Sequence, residues 1–270
     1  MSTNNSAFEK AITLNTLKSL KNSEEKFSCV ALYDATMATL AANAGVETII
    51  VGDSLGMTIQ GHDSTLPVVI EDMVYHTVAV RRGNQHSLII ADLPFMAYAT
   101  PEQAMANASK LIQAGAYMVK LEGGEWLCDT VNKLSQRGIP VCGHLGLTPQ
   151  SVNKFGGYRV QGRDEGQAEK ILADAQALQQ AGADLLVLEC VPSTLSEKIA
   201  KETQIITIGI GAGPASDGQV LVINDMLGMT AKPPKFSKNY LLENDSIESA
   251  MKDFVNEIKN GEFPRPEHGF

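Results

Sequence analysis

The 270 residues carry a formal charge of −9 and 44% hydrophobic side chains, enough apolar material for a sizeable core and too much for a disordered chain. Lysine and arginine are scattered without a basic stripe, which argues against nucleic acid or an anionic membrane as the partner. No apolar run approaches the roughly 18 residues of a membrane span, and MSTNNSAFEK lacks a basic segment followed by an apolar one, so a cytoplasmic protein is expected.

In chain order, residues 7–20 read as a helix ahead of the first strand, placed to plug the bottom of a barrel. Eight β-rich runs follow: FSCVALYD, TIIVGDS, SLIIADLP, AYMVKLEG, IPVCGHLG, DLLVLECV, QIITIGIG and GQVLVIND. Their near-continuous apolar character marks parallel strands covered by helices. Helical patterns separate them, among them EDMVYHTVAVRR, PEQAMANASKLIQ and EGQAEKILADAQALQQ. Thr100 and Pro101 supply a cap and a first helical position. Three segments share one grammar, an alanine-rich helix end, Ala-Gly, an apolar strand and an acid, with glycines at Gly45, Gly115 and Gly182. Between the seventh and eighth runs only AGPASDG intervenes, too short for a crossover helix. TAKPPKFSKNYLLEND reads as a surface excursion with a helical part, and SIESAMKDFVNEIKNG as the closing helix.

Eight strands alternating with helices predict an α/β fold, a single (βα)8 TIM barrel over residues 1–270 with an extra N-terminal helix. A doubly wound open sheet is the alternative, disfavoured because polar residues end so many strands instead of gathering at one crevice. Cys29, Cys128, Cys142 and Cys190 form no C-x-x-C pair and read as reduced, mostly buried thiols.

Strand ends form the active face of such a barrel. The candidates there are Asp34, Asp53, Asp92, Glu122, His144, Glu189 and Asp225. Taken singly, each acid is equally well a helix cap or the partner of a surface lysine. Asp53, Asp92 and Glu122, on adjacent strands at matched depth, instead require a cation or protons between them, because like charges at close range repel. Oxygen ligands suit Mg2+, which keeps several waters and takes one or two carboxylates directly, and no Cys/His cluster has the spacing of a softer metal site. Lys120 lies two residues from Glu122 and shares its face. It reads either as a neutralising partner for the acids or as an ammonium that stabilises an anionic substrate. His144 reads as a substrate contact or as a hydrogen-bonded core histidine. Glu189, across the barrel from Asp53 and Asp92, is free to act as a general base or to pair with a neighbour. Ser54 can offer a hydroxyl and an amide to a ligand carboxylate. The long loop GHLGLTPQSVNKFGGYRVQGR reads as a lid or wall over the site, and GIGAGPASDGQ is too weak a pattern for a nucleotide site.

The motifs VGDSLGM, GHDSTLPV, ADLPFMAY, VKLEGG, VCGHLGLTPQSV, GGYRVQGR, LLVLECVP and IGIGAG-x-x-x-DGQVLV run in order from about residue 27 to residue 240. Together they resemble the 3-methyl-2-oxobutanoate hydroxymethyltransferase (ketopantoate hydroxymethyltransferase) family. The resemblance implies a (βα)8 barrel that assembles as a homo-oligomer, often a decamer. It implies transfer of a one-carbon unit from the co-substrate 5,10-methylenetetrahydrofolate to 3-methyl-2-oxobutanoate, giving 2-dehydropantoate for pantothenate biosynthesis, with Mg2+ as the metal. It places metal ligation on Asp53, Asp92 and Glu122, oxo-acid binding on Asp53, Ser54, Asp92 and Lys120, and proton abstraction on Glu189. Two rival readings stand beside it. One is another Mg2+-dependent 2-oxo-acid lyase or mutase of the isocitrate lyase type, although GGEWLCD does not look like the cysteine-containing catalytic loop expected there. The other is a non-catalytic 2-oxo-acid sensor.

Overall fold

The computed structural model describes residues 11–270. Its elements run α1 (Leu14–Asn22), β1 (Phe27–Ala31), α2 (Ala35–Ala44), β2 (Thr48–Val51), α3 (Leu55–Thr58), α4 (Ile70–Gly83) and β3 (Leu88–Asp92). They continue with α5 (Pro101–Gln113), β4 (Met118–Glu122), α6 (Cys128–Gln136), β5 (Val141–Gly146), α7 (Val152–Phe155), α8 (Glu165–Ala181) and β6 (Leu185–Glu189). The last are α9 (Ser193–Glu202), β7 (Ile206–Ile210), β8 (Gly218–Val222), α10 (Ile223–Met226) and α11 (Ile247–Lys259). The eight strands close into one parallel barrel in sequence order, β8 pairing with β1. The predicted barrel is therefore the observed one, and an open sheet is excluded.

The strands are apolar throughout because both faces are covered. One face packs on the helices and the other fills the barrel, so nearly every strand residue is buried. The helices owe their bounds to local chemistry. Thr100 accepts a hydrogen bond from the Gln103 amide at the start of α5, with Pro101 in the first turn. Gly45 and Gly182 end α2 and α8 in the left-handed conformation, which only glycine adopts without strain.

Residues 211–217 join β7 to β8 without a helix, as the short spacing requires. The N-terminal helix is α1, and the part of its expected span before residue 11 lies outside the described residues. It lies against the N-terminal ends of the strands. Leu17 is fully buried, and Lys21 donates to the Ile205 carbonyl at 3.0 Å and pairs with Asp217 at 2.9 Å. The four cysteines are free; three are buried and Cys128 is intermediate. Burial raises the Cys29 thiol to about 12, so it is an un-ionised packing residue and not a nucleophile.

Candidate active site

Parallel register sets the functional side chains side by side. Asp92 on β3 pairs with Lys120 on β4, and Glu122 on β4 pairs with His144 on β5. Lys120 and Glu122, two apart, both line the cavity at the barrel mouth, as their spacing predicts. The cavity measures about 760 Å³. Its deep wall carries Asp53, Asp92, Lys120, Glu122, His144 and Glu189, and its outer wall includes Met57, Tyr158, Arg159, Lys232 and Phe236.

Asp53, Asp92, Lys120, Glu122 and His144 are each at most 5% exposed. The Lys120 ammonium stands 3.0 Å from Asp92 Oδ2 and 3.6 Å from Glu122 Oε1. Burial works against a charged Lys120, but Asp92, Glu122 and Asp53 outweigh it and hold its pKa above the ordinary lysine range. Burial, with Glu122 and Asp92 nearby, raises Asp53 well above the usual carboxylate range. Burial also raises Asp92, against the pull of Lys120. Glu122 is the exception. Burial opposes its ionisation, yet Lys120, His144 and the Gln150 amide together lower its pKa. In His144, burial and Lys120 disfavour protonation, but Glu122 and Glu189 prevail and raise the pKa.

His144 is a bridge. Its Nδ1 lies 3.2 Å from Lys120 Nζ and 3.4 Å from Glu122 Oε1, and its Nε2 lies 3.2 Å from Glu189 Oε2. The Nε2–Glu189 approach is close without hydrogen-bond alignment. Asp92 Oδ1, Glu122 Oε1 and His144 Nε2 are all buried with no hydrogen-bond partner. Three orphaned polar atoms on three adjacent strands, in one cavity, mark a place built for a ligand.

Asp92 and Glu122 gather around the Lys120 ammonium, while Asp53 Oδ2 is held by Gln150. Among the described residues, no three His, Cys, Asp or Glu side chains are close enough to hold a metal ion by themselves. Ser54 follows Asp53 at the cavity wall, where its hydroxyl hydrogen-bonds to Tyr33 Oη at 2.8 Å. Asp34 lies elsewhere. It is exposed and caps α2 by accepting from the Met37 amide, the plain reading of an acid before a helix. Asp225 lines the cavity, accepting a hydrogen bond from Thr230.

Two residues escaped sequence reasoning. Gln150 donates to Asp53 Oδ2 at 2.8 Å, and Tyr98 donates to Gln150 at 2.5 Å. Both sit in loops beyond strand ends, Gln150 separated from Asp53 by 97 residues, and neither bears a charge that would single it out. The long loop after β5 does wall the site, contributing Leu147, Pro149, Tyr158, Arg159 and Val160.

Among solved structures, the fold is similar to a phosphonopyruvate hydrolase (TM-score 0.62, 14% identity, 81% of this chain and 84% of that one). It is also similar to 2,3-dimethylmalate lyase, a member of the PEP mutase/isocitrate lyase superfamily (TM-score 0.58, 16% identity, 79% and 81%). At that identity the likeness is one of fold. Sequence relatives are far nearer. The 3-methyl-2-oxobutanoate hydroxymethyltransferase of Saccharophagus degradans is 62% identical over 97% of both chains. A second, from Hahella chejuensis, is 60% identical over 96% of this chain and 99% of its own. The family model for ketopantoate hydroxymethyltransferase matches residues 11–266. With a strand-end acid cluster in place and that match spanning the barrel, the chain belongs to the ketopantoate hydroxymethyltransferase family.

Proposed function

We propose that this chain, acting as one barrel domain, transfers a hydroxymethyl group from 5,10-methylenetetrahydrofolate to 3-methyl-2-oxobutanoate, giving 2-dehydropantoate. The observation that carries the reading is the set of unpartnered buried atoms, Asp92 Oδ1, Glu122 Oε1 and His144 Nε2, beside a buried ammonium. Asp92 Oδ1, an acidic oxygen with neither a hydrogen bond nor an ion pair, calls for a cation, and an ammonium plus a ring nitrogen suit an anionic ligand.

The donor set fits Mg2+. The donors are hard oxygens, and Mg2+ retains waters, so two carboxylates suffice where three are not gathered. Asp53 and Asp92 are the residues that would hold it, with Glu122 turned toward Lys120, His144 and the Gln150 amide. When bound, the metal acts as a Lewis acid on the oxo acid and makes its C3 hydrogen easier to remove.

The rest falls to the chain's own side chains. Lys120, held cationic by its acidic neighbours, stabilises negative charge that develops on the keto oxygen. Glu189 accepts the C3 proton, and His144 lies against its carboxylate. Water adds to the folate-borne carbon as its two bonds to folate nitrogen break, its two hydrogens passing to those nitrogens; C3 bonds to that carbon, and the oxygen, which came from water, takes back the proton held by Glu189 to become the hydroxyl. Ser54 contributes to oxo-acid binding from the β2 end. The outer half of the cavity, with Met57, Tyr158 and Phe236 beside Arg159 and Lys232, suits a flat ring system with an anionic tail. Mg2+, a homo-oligomeric and decameric assembly, and a cytoplasmic location complete the reading; no described helix is long and apolar enough to cross a membrane.

The test is proton exchange in D2O. Without folate, the wild-type protein with Mg2+ should exchange the C3 hydrogen of 3-methyl-2-oxobutanoate, followed by loss of the proton NMR signal. Glu189→Gln should bind the oxo acid and lose that exchange. Normal exchange in the variant removes Glu189 as the base. Exchange without folate-dependent product points to a different 2-oxo-acid enzyme, and binding without exchange to a sensor.

A further inference from the structure

Gln150 occupies the first turn of the loop after β5 and is 7% exposed. Every polar group it has toward the site is used. Its backbone N–H donates to Glu122 Oε2 at 2.9 Å. Its side-chain Nε2 donates to Asp53 Oδ2 at 2.8 Å and to the Leu93 carbonyl at 3.0 Å. Its Oε1 accepts from the Tyr98 hydroxyl at 2.5 Å, and that hydroxyl in turn accepts from the Glu122 N–H at 3.4 Å. The orientation of the amide is forced, because a carbonyl can only accept and so the NH2 end must face Leu93.

The consequence is a division of oxygens. Each acid has two, and one of each is already committed. Gln150 takes Oδ2 of Asp53 and Oε2 of Glu122. Lys120 and the Asp53 N–H take Oδ2 of Asp92. Asp92 Oδ1 is left without a hydrogen bond, and Glu122 Oε1, also without one, faces Lys120 and His144 at 3.6 and 3.4 Å. A neutral amide is suited to this task. It donates to Asp53 and to the Leu93 carbonyl without adding charge, while the backbone N–H serves Glu122; a third carboxylate or an apolar side chain would leave Asp53 Oδ2 repelled or orphaned.

We infer that Gln150 is a positioning residue: its side chain turns Asp53 so that one carboxylate oxygen is left for a divalent cation, its backbone N–H holds Glu122 toward Lys120 and His144, and by the same bonds it fastens the loop of residues 147–163 over the site. The inference rests on the Mg2+ reading above. It implies that cation binding and closure of this loop are linked, since the Asp53 carboxylate that steadies the cation also holds the loop.

The experiment uses the full chain and Mn2+ as the probe, with free Mn2+ counted by its electron paramagnetic resonance signal. Gln150→Leu should weaken Mn2+ binding by tenfold or more, the size of effect that follows loss of a partner to a metal ligand. Tyr98→Phe keeps both Nε2 bonds and should weaken it less than Gln150→Leu does. In the unaltered protein, saturating Mg2+ should slow amide hydrogen exchange in residues 147–152 about fivefold or more, a readout that needs no variant to fold. Mn2+ affinity of Gln150→Leu within twofold of wild type, or loop exchange indifferent to Mg2+, overturns the inference and leaves the proposed reaction standing. Failure of the wild-type protein itself to take up Mn2+ overturns both.

Discussion

Replacing Lys120 by methionine keeps the length of the side chain and deletes its charge. The ammonium is 5% exposed and lies 3.0 Å and 3.6 Å from carboxylate oxygens of Asp92 and Glu122. At an effective dielectric of about 20 each contact is worth roughly 5 kcal/mol before the several kcal/mol spent on desolvating the ammonium. The net loss on deleting one partner of such a buried cluster is about 3–5 kcal/mol. For a chain of this size that lowers the melting temperature by roughly 6–20 °C. The loss must depend on pH. Asp53 and Asp92 already have raised pKa values, from burial and, for Asp53, from the neighbouring acids. Removing Lys120 raises them further. A carboxylate with a raised folded-state pKa binds more protons folded than unfolded, so stability falls as pH climbs from the unfolded toward the folded value. The deficit of Lys120→Met should therefore be smallest in acid and widen toward neutrality. Melting curves followed by circular dichroism across that range, without divalent metal, measure it. A variant that melts within 2 °C of wild type at neutral pH, or whose deficit is flat with pH, would refute the view that Lys120 neutralises the cluster. Exchange of the oxo-acid C3 hydrogen should fall about 10²–10³-fold in the same variant, the usual cost of one oxyanion donor.

Asp53→Ala and Asp92→Ala should each abolish Mg2+-dependent binding of 3-methyl-2-oxobutanoate in calorimetric titrations; curves that match wild type contradict the metal assignment. Arg159→Gln and Lys232→Gln, at the outer wall of the cavity, should each raise the KM for methylenetetrahydrofolate about three- to tenfold and leave folate-independent C3 exchange unchanged. That is the scale of one partly exposed charge contact. An unchanged KM in both would place the folate elsewhere.

The barrel was legible because its signals are local. Apolar runs such as LIIAD and LLVLE are strands for reasons contained in five residues, and Ala-Gly ends α2 and α8 through the residue that takes a left-handed turn without strain. The acids were legible because a carboxylate at the end of an apolar run contradicts its surroundings. Asp34 shows the limit of that signal. It ends an apolar run too, but α2 starts immediately after it and claims its oxygen as a cap. Gln150 and Tyr98 were not legible. An amide after Pro149 and a tyrosine before a helix are unremarkable in sequence, and their role exists only once the barrel brings β2, β4 and the β5 loop within 3 Å of each other. The arrangement of cations was half legible. Lys120 could be placed beside Glu122 by alternation, whereas the position of His144 between Glu122 and Glu189 depends on the register of β5 against both neighbours.

That register explains how one barrel mouth holds so many acids. From β3 to β6 acidic and basic groups alternate: Asp92, Lys120, Glu122, His144 with its protonated form favoured, and Glu189. Each acid has a basic group between it and the next, at 3.0–3.6 Å. Asp53, just past the end of β2, is the one acid of the trio outside that alternation, and burial with the neighbouring acids drives it well above the carboxylate range. The cluster thus has its electrostatic demand at the β2 and β3 ends, where a divalent ion is proposed to bind, and is balanced toward β6, where His144 lies beside the proposed base. Other enzymes share this barrel at 14–16% identity, so the barrel alone does not dictate the reaction. What separates the metal side from the base side here is the order of charges along four neighbouring strands, and that order is written in single residues at the strand ends.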